Sequence, residues 1–414
     1  MEAEIRRKNL AALVGRRYFQ YQLTEKRREV ADILENLLRR ADDEAVRLTA
    51  DVIIVEAVKV ALRALGDAVR RAVKERLVYR EFGVVYDRDL LGALDVARSI
   101  AVKGQSLIAS LTYLPALNAP EYFLLRKLAS KSLKLAKSIS GEDSEVMHLI
   151  NKVSKAVKRL PRGYTTLSCD DVEYISWLRI ACTVSRFLGT LKRRGARVGR
   201  GGKGEKSVVF IDWKLYEIYI YYLLYELLES LGFRRLRCPL DGGPDLCLSD
   251  GRQRIEVYLN KPAPCSIVSE YDGVPADKVR GRPDAYIRSD VVRIVIEAKF
   301  STDPSYITAG RFKTMAYVYE YGADAGVLIF PSIEGKGLDE EEKSTAELYQ
   351  YMERYGGMVT IHLRDGRAIY LIRIDPAERE VPVESDEIAR SRLRRALEQI
   401  IIRDKTSATT RRGA

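Results

Sequence analysis

The chain has 414 residues, 46% of them hydrophobic and 31% charged, with a formal net charge of +12. This length predicts more than one domain. No apolar run reaches the roughly 18 residues of a membrane span, and the N-terminus lacks a signal-peptide core, so we expect a cytoplasmic protein. With two histidines and five cysteines, none in C-x-x-C spacing, a zinc site is disfavoured and reduced cysteine thiols are expected.

The positive charge is concentrated in the first half of the chain. Residues 1–200 contain 38 Lys and Arg against 24 Asp and Glu, whereas the remainder contains 32 against 34. A basic surface is typical of domains that bind a polyanion. We therefore expect the first half to contact nucleic acid and the second half to supply carboxylates. A basic surface that is merely solvated is the alternative.

Helical periodicity dominates the first 190 residues. Apolar residues recur at helical spacing in three segments: 24–41, 49–79 and 121–139. In the last of these, Lys127, Lys131 and Lys134 are spaced i, i+4 and i+7, which places them on one face of the helix. The pattern predicts an all-α, basic N-terminal domain over residues 1–205.

A segment rich in glycine and arginine, "LKRRGARVGRGGKGEKS" (191–207), ends this domain. Its composition predicts a flexible linker. It is not a P-loop, because Glu205 follows the second glycine where that motif requires lysine. We expect its basic side chains to contact DNA phosphates: Arg193, Arg194, Arg197, Arg200 and Lys203.

From residue 208 the pattern changes to mixed helix and strand. We predict a domain over residues 206–376 with a central mixed sheet flanked by helices, and a C-terminal helix within 377–414. The predicted elements are a helix at 213–233, strands near 234–238, 253–260 and 291–300, a helix at 310–321, a strand at 325–332, a helix at 338–357, a hairpin at 358–374 and a helix at 384–405.

The strand at 291–300 carries two charges on one face. Because side chains alternate along a strand, Glu297 and Lys299 share a face, and the strand is apolar enough to be buried on both faces. Burying charges is costly unless they are paired or used. Asp284 precedes this strand, and a tight turn near Ser289-Asp290 would bring it beside Glu297.

Two carboxylates beside a lysine favour a metal site. Carboxylate and carbonyl oxygens suit Mg²⁺ or Mn²⁺, so we expect Asp284, Glu297 and the backbone carbonyl of Ala298 as ligands. Such a cation would polarise a phosphodiester and acidify a bound water. Lys299 would orient that water and stabilise the charge that develops on the phosphate. A structural ion cluster is the alternative.

"RPD" (282–284) followed by "IEAK" (296–299) resembles the PD-(D/E)xK nuclease superfamily, which has the restriction-endonuclease-like fold. The resemblance implies that Glu217, on the helix before the first core strand, completes the metal site. Some members of the superfamily add a Q-x-x-x-Y helix after the lysine strand. Here Lys313 and Tyr317 have that spacing, with lysine in place of glutamine, and the resemblance implies that both are catalytic residues together with Asp284, Glu297, Lys299 and Glu217.

A second Pro-Asp motif occurs in "GGPDLCLSDGRQRIEVYLN" (242–260). Tyr258 stands where the motif needs lysine, and the water-positioning charge is therefore missing. We interpret Asp245 as a turn residue and Glu256 as part of a core strand.

The order of elements also resembles that of McrC-like nuclease subunits of modification-dependent restriction systems. The resemblance implies a Mg²⁺-dependent nuclease that hydrolyses DNA in restriction or DNA processing, and RNA stays open as an alternative substrate. It is compatible with a homodimer or with a partner subunit such as a motor ATPase. Two alternatives stay open: a structure-specific nuclease of repair or recombination, and a non-catalytic nucleic-acid-binding scaffold with a degenerate nuclease fold.

Overall fold

The computed structural model describes residues 2–23, 44–75, 79–116, 119–141, 143–193, 208–238, 243–263, 266–267, 279–335 and 337–411. The chain divides into two compact units. The N-terminal unit comprises Gly15–Ala41 and Ala50–Gly201, and the C-terminal unit comprises Met1–Val14, Asp42–Thr49 and Gly202–Ala414. The first 14 residues, which the sequence pattern assigned to the N-terminal domain, therefore group with the C-terminal unit.

The first half of the chain is rich in amphipathic helices. Its helices are α1 (Glu2–Leu23), α2 (Glu44–Glu75), α3 (Val96–Ala101), α4 (Pro120–Ser140), α5 (Ser144–Val157) and α6 (Ser176–Arg193). Helix α2 buries Ile53, Ala57, Ala61 and Leu65 at i, i+4 spacing, which is the apolar stripe that a core-facing helix needs. The predicted helix at 24–41 lies outside the described residues.

The prediction of an all-α N-terminal domain was wrong. Among the described residues, three strands form an antiparallel sheet with the order β1-β3-β2: β1 (Tyr79–Asp87), β2 (Ala93–Leu94) and β3 (Ile108–Ala116). The register pairs Tyr79 with Ala116 and Asp87 with Ile108. The segment "FGVVY" within β1 is rich in β-branched and aromatic residues, which favour a pleated surface over a helix.

The C-terminal unit is mixed α and β. Its elements are α7 (Val208–Ser230), β4 (Arg234–Leu236), β5 (Leu246–Ser249), β6 (Arg254–Leu259), β7 (Ala285–Ser289), β8 (Arg293–Ala298), α8 (Pro304–Glu320), β9 (Ala325–Phe330), α9 (Glu340–Arg354), β10 (Met358–His362), β11 (Ala368–Arg373) and α10 (Pro382–Arg411). The predicted helices, strands and C-terminal helix of this half are confirmed, with shifts at their ends.

Within the described part of this unit, eight strands form one mixed sheet in the order β10-β11-β9-β8-β7-β6-β5-β4. The pairs β8–β9 and β9–β11 are parallel and the others are antiparallel. Helix α8 connects the parallel strands β8 and β9, as a crossover connection requires. The predicted mixed sheet with flanking helices is confirmed, and the fold class is α+β.

Helices cover both faces of this sheet near its centre. Val295 of β8 packs in one cluster with Tyr317 and Val318 of α8. Phe300, just beyond the same strand, contacts Tyr216 of α7 at 5.1 Å between ring centroids. Because odd and even positions of a strand point to opposite faces, α8 and α7 lie on opposite sides of β8. The charged end of β8 is therefore placed between two helices.

Four cysteines are paired, which corrects the prediction of reduced thiols. Cys169 is bonded to Cys182 and Cys238 to Cys247, with Cα atoms 5.8 and 5.4 Å apart. These separations fall in the range that a disulfide spans. The bonded cysteines are 13 and 9 residues apart in sequence, so no short cysteine motif predicts these disulfides.

In the part of the chain that the structure describes, no helix has both the length and the apolar character needed to cross a membrane.

Candidate active site

The β7–β8 hairpin brings Asp284 beside Glu297. Ala285 pairs with Ile296, so the next antiparallel pair outward is Asp284 with Glu297. The N–H of Ala298 donates a hydrogen bond of 2.7 Å to Oδ2 of Asp284. Both carboxylates are buried, at 8% and 1% exposure. The hairpin therefore brings together the two carboxylates that the sequence placed on one metal site.

Glu297 is held by two lysines through a single oxygen. Its Oε1 accepts hydrogen bonds from Nζ of Lys299 at 2.6 Å and Nζ of Lys313 at 2.7 Å. Its Oε2 is buried and has no hydrogen-bond partner among the described residues. Buried polar atoms are normally satisfied, so Oε2 of Glu297 keeps an acceptor capacity that the described residues do not use.

Asp284 forms no ion pair with a lysine or arginine of the described residues, although Lys299 is near enough for its charge to act on this carboxyl. The pKa of Asp284 is raised to about 7. Burial is the largest cause, followed by the negative charges of Glu297 and Glu217; the hydrogen bond from Ala298 and the charge of Lys299 oppose the rise. The site is therefore short of positive charge at Asp284.

Helix α7 contributes Glu217 to the same group of charges. Burial raises the pKa of Glu217, the ion pair with Lys214 lowers it, and the charge of Glu297 raises it further. Nζ of Lys214 lies 2.6 Å from Oε2 of Glu217. Glu217 is thus close enough for its charge to act on Asp284 and Glu297, and it forms an ion pair with Lys214.

Helix α8 contributes Lys313 and Tyr317. Lys313 is 44% exposed, and its Nζ lies 5.3 Å from the ring centroid of Tyr317. Burial lowers the pKa of Lys313, but the charge and hydrogen bond of Glu297 outweigh it and raise the pKa. The Tyr317 hydroxyl accepts a hydrogen bond of 3.2 Å from the N–H of Arg282. Tyr317 therefore positions the loop before Asp284.

Glu320, the last residue of α8, and Tyr321, the residue after it, also hold that loop, and sequence reasoning missed both. Oε1 of Glu320 accepts a 2.8 Å hydrogen bond from the N–H of Gly281, and the Tyr321 hydroxyl donates to the Gly281 carbonyl. A Cβ on Gly281 would lie 2.2 Å from the Tyr317 ring. The close approach requires glycine here, and a glycine directly before Arg-Pro-Asp was the available signal.

Two further side chains of α7 were missed. The Tyr221 hydroxyl donates a 2.7 Å hydrogen bond to the backbone carbonyl of Asp284, and Lys214 neutralises Glu217. They lie at i+4 and i−3 from Glu217, so helical spacing could have identified them. Tyr221 ties the helix to the start of the hairpin.

An aromatic pair lies beside the lysine of the motif. Nζ of Lys299 is 5.4 Å from the ring centroid of Tyr306 on α8. Tyr306 in turn stacks on Trp213 of α7, with ring centroids 5.4 Å apart and an interplanar angle of 24°. The aromatic surface restricts where the Lys299 side chain can lie.

The second Pro-Asp motif has all its carboxylates engaged. Asp245 accepts hydrogen bonds from the Leu259 N–H at 2.7 Å and from Lys261 at 2.8 Å. Glu256 lies on β6 and pairs with Arg288 at 2.7 Å and Arg254 at 3.3 Å. These contacts are those of a strand-edge turn and an ion pair on the sheet.

Of the predicted phosphate-contacting cluster, the structure describes Arg193 alone. This residue is exposed at the last position of α6, where its guanidinium is 3.4 Å from the Thr190 hydroxyl. Arg194, Arg197, Arg200 and Lys203 lie outside the described residues.

The residues present suit a hard divalent cation only in part. Asp284 and Glu297 offer oxygen ligands, and the unpartnered Oε2 of Glu297 and the unpaired charge of Asp284 would both be satisfied by a cation. Among the described residues, however, no three Asp, Glu, His or Cys side chains are grouped as a ready metal site. Glu217, paired with Lys214, would have to release that lysine to bind.

No protein-family model and no curated protein sequence matches the chain. Among solved structures, the chain is similar to one in a refined half-complex from the tetradecameric assembly of Thermococcus gammatolerans McrB AAA+ hexamers with bound McrC. The identity is 14% and the TM-score 0.31, over 82% of this chain and 68% of the other. The functional assignment therefore rests on the contacts of the site itself.

Proposed function

We propose that the protein is a metal-dependent nuclease of restriction-endonuclease-like architecture that hydrolyses phosphodiester bonds of DNA in restriction or DNA processing. One observation carries the proposal. Asp284 and Glu297 are adjacent and buried, with Lys299 beside them, yet Asp284 has no cationic partner among the described residues and Glu297 has an unsatisfied oxygen.

This pattern argues against a purely structural ion cluster. In such a cluster, each buried carboxylate would be paired, because an unpaired buried charge is destabilising. Asp245 and Glu256 show that arrangement elsewhere on the same sheet. Asp284 does not, so the site has a carboxylate left for a ligand that the protein alone does not supply.

Asp284, Glu297 and the Ala298 carbonyl would hold Mg²⁺ or Mn²⁺, with Glu217 as a further ligand. When bound, the cation supplies polarisation of the phosphodiester and a lowered pKa for a coordinated water. Lys299, fixed by Glu297 and by the Tyr306 ring, orients the attacking water and stabilises charge that develops on the phosphate. Tyr221 holds the backbone of Asp284 in place.

DNA is the proposed substrate because the first half of the chain is strongly basic. Arg193 and its neighbours Arg194, Arg197, Arg200 and Lys203 are proposed to contact phosphates. A motor ATPase or a second copy of the chain is proposed as partner from the McrC-like motif order.

The decisive comparison is between the two lysines that bind Glu297. Lys299→Ala should slow cleavage of DNA by roughly a hundredfold or more, since charge stabilisation at the transition state is worth a few kcal/mol. Lys313→Gln, which introduces the glutamine of the Q-x-x-x-Y helix that some members of the resembled superfamily have, should retain cleavage within about tenfold. Both variants remove one charge from the same Glu297 oxygen, so charge loss alone cannot explain a difference between them.

Asp245→Asn is the control for the second motif and should cleave like the wild type. Each variant is first checked for folding by circular dichroism and thermal denaturation. Cleavage is measured with Mg²⁺ and with Mn²⁺ on single-stranded, duplex and branched DNA and on RNA. Wild-type rates in a folded Lys299→Ala protein would place the chemistry elsewhere. No cleavage by the wild type, with candidate ATPase partners present, would favour the scaffold alternative.

A further inference from the structure

Helices α4 and α6 of the N-terminal unit line an open surface pocket that is rich in lysine. We propose that this pocket binds the phosphate backbone of a nucleic acid. Its volume is about 390 Å³, and it is lined by Lys127, Ser130, Lys131, Lys134, Leu135 and Lys192. We call this site, with its four lysines, the lysine pocket.

The lysine pocket is unbalanced in charge. All four lysines are exposed. Within the described ranges, no acidic residue lines the pocket, and none of the four ammonium groups forms an ion pair or a hydrogen bond. Like charges at i, i+4 spacing, as in Lys127 and Lys131, destabilise a helix. Of the four lysines, Lys192 is the one with a stabilising role in its own helix, because it lies in the last turn of α6, where a positive charge interacts favourably with the helix dipole.

The backbone that carries these lysines is well anchored. The opposite face of α4 buries Leu125, Ala129 and Ala136 completely. Tyr122 of α4 stacks on Trp177 of α6 with ring centroids 5.7 Å apart. Packing between the two helices therefore fixes the spacing of the ammonium groups on the outer surface, which favours binding of a repeating anion over incidental counterions.

A nucleic-acid backbone fits this array best. Lys127 and Lys134 are separated by seven residues, about 10 Å along a helix axis. That length corresponds to about three nucleotides of duplex, at 3.4 Å per step. The pocket holds Ser130 and Leu135 besides the lysines and shows none of the large aromatic side chains that would insert into a membrane interface.

This inference rests on the proposed function for the identity of the ligand, but its test requires no catalysis. Binding is measured by fluorescence anisotropy with a labelled DNA duplex in EDTA, between about 50 and 200 mM salt. The variant replaces Lys127, Lys131, Lys134 and Lys192 by Gln. It should bind at least tenfold more weakly, and the log–log salt slope should fall by roughly 0.9 for each phosphate that the protein no longer neutralises, so by about 2 to 4 in total.

The matched control replaces four exposed basic residues of the same unit by Gln: Lys152, Lys155, Lys158 and Arg159. It removes the same charge and should leave the slope within about one unit of the wild-type value. An equal change of the salt slope in both variants would show that the net charge of the protein, and not the lysine pocket, determines DNA binding, and would overturn the proposal. So would an unchanged slope in the lysine-pocket variant, or lysine-dependent binding of phosphatidylserine vesicles without DNA binding. Lys299→Ala should lose cleavage and keep the wild-type salt slope, whereas the lysine-pocket variant should lose binding in EDTA, so failure of one proposal is distinguishable from failure of the other.

Discussion

At the residue scale, the site is defined by how its charges are shared. Glu297 binds two lysines through one oxygen, Glu217 binds Lys214, and Asp284 is left with a backbone N–H. Burial disfavours the charged form of Asp284, and the negative charges of Glu297 and Glu217 disfavour it further. Protonation of Asp284 removes both penalties, which is why its pKa is raised to about 7. A bound cation would relieve them in the same way and would compete with the proton.

This competition predicts a pH-dependent stability in the metal-free protein. A carboxyl whose pKa is higher in the folded state, here about 7 against an ordinary 3.8, binds more protons folded than unfolded between these values. The free energy of unfolding therefore falls as pH rises through that window and is level above it. The free energy of unfolding of Asp284→Asn should decrease less over this pH range than that of the wild type, by an amount on the order of 2 kcal/mol.

Urea denaturation in EDTA at pH 5 and pH 8 measures this effect. Mg²⁺ should stabilise the wild type more at pH 8 than at pH 5, because protonated Asp284 is a poor ligand. Asp284→Asn should lose that gain, whereas Asp245→Asn should keep it. A wild-type protein with equal Mg²⁺ response at both pH values would contradict the role of Asp284 as a metal ligand.

At the scale of elements, α8 acts on the site mainly through the loop before Asp284. Tyr317, Glu320 and Tyr321 all hydrogen-bond to the backbone of Gly281 or Arg282. The resemblance of α8 to a Q-x-x-x-Y helix predicts catalytic residues, but the contacts of Tyr317 are those of a positioning residue. Lys313 is the member of this helix that contacts a site carboxylate directly.

Gly281→Ala tests this positioning. The added Cβ would meet the Tyr317 ring at 2.2 Å and Oε2 of Glu320 at 2.6 Å, so the loop must shift. Because small misplacements of reacting groups are costly, we expect the cleavage rate to fall by roughly tenfold to a hundredfold. The control is Gly189→Ala on α6, where nothing lies within 4 Å of the added atom. Equal rates for both variants, at unchanged thermal stability, would show that the loop does not position Asp284.

At the scale of the whole molecule, the first turns of α1 belong to the C-terminal unit. Arg6 pairs with Asp375 at 3.0 Å and with Glu334 at 2.6 Å, and Arg7 pairs with Asp212 at 2.8 Å. Asp375 and Asp212 are both buried, at 4% and 5% exposure. Burial raises the pKa of Asp212, against the hydrogen bond and charge of Arg7. A chain starting at residue 206 would leave both aspartates without these partners.

Arg6→Met should accordingly destabilise the protein by roughly 2 to 4 kcal/mol, since removing one partner leaves a buried charge uncompensated. Addition of Asp375→Asn should recover part of that stability. Arg70→Met, which breaks an exposed pair with Asp67, should cost less than about 1 kcal/mol. Chemical denaturation of the four proteins measures these differences. An Arg6→Met variant no less stable than Arg70→Met would show that the N-terminal turns contribute little to the unit.

The sequence was most informative where one element determines the outcome. Alternation in residues 291–300 predicted the strand and the shared face of Glu297 and Lys299, and a short hairpin brought Asp284 beside them, as the structure confirms. Helical periodicity predicted α4, α7 and α9 within a few residues of their ends. The strands of residues 79–116 were missed although "FGVVY" is a strand-like segment, because helical periodicity dominates the segments on either side of them.

Sequence by itself determined the local chemistry: the paired carboxylates, the motif lysine, the helix of Glu217 and the basic first half. Tertiary structure alone decided which side chains from other elements contact these residues. Lys313 shares the Glu297 oxygen, Tyr221 holds Asp284 and Arg6 reaches Asp375, across separations of 16, 63 and 369 residues. The reason is physical. Periodicity reports the face that a residue occupies on its own helix or strand, whereas the partner on that face depends on how separate elements pack, which no local pattern encodes.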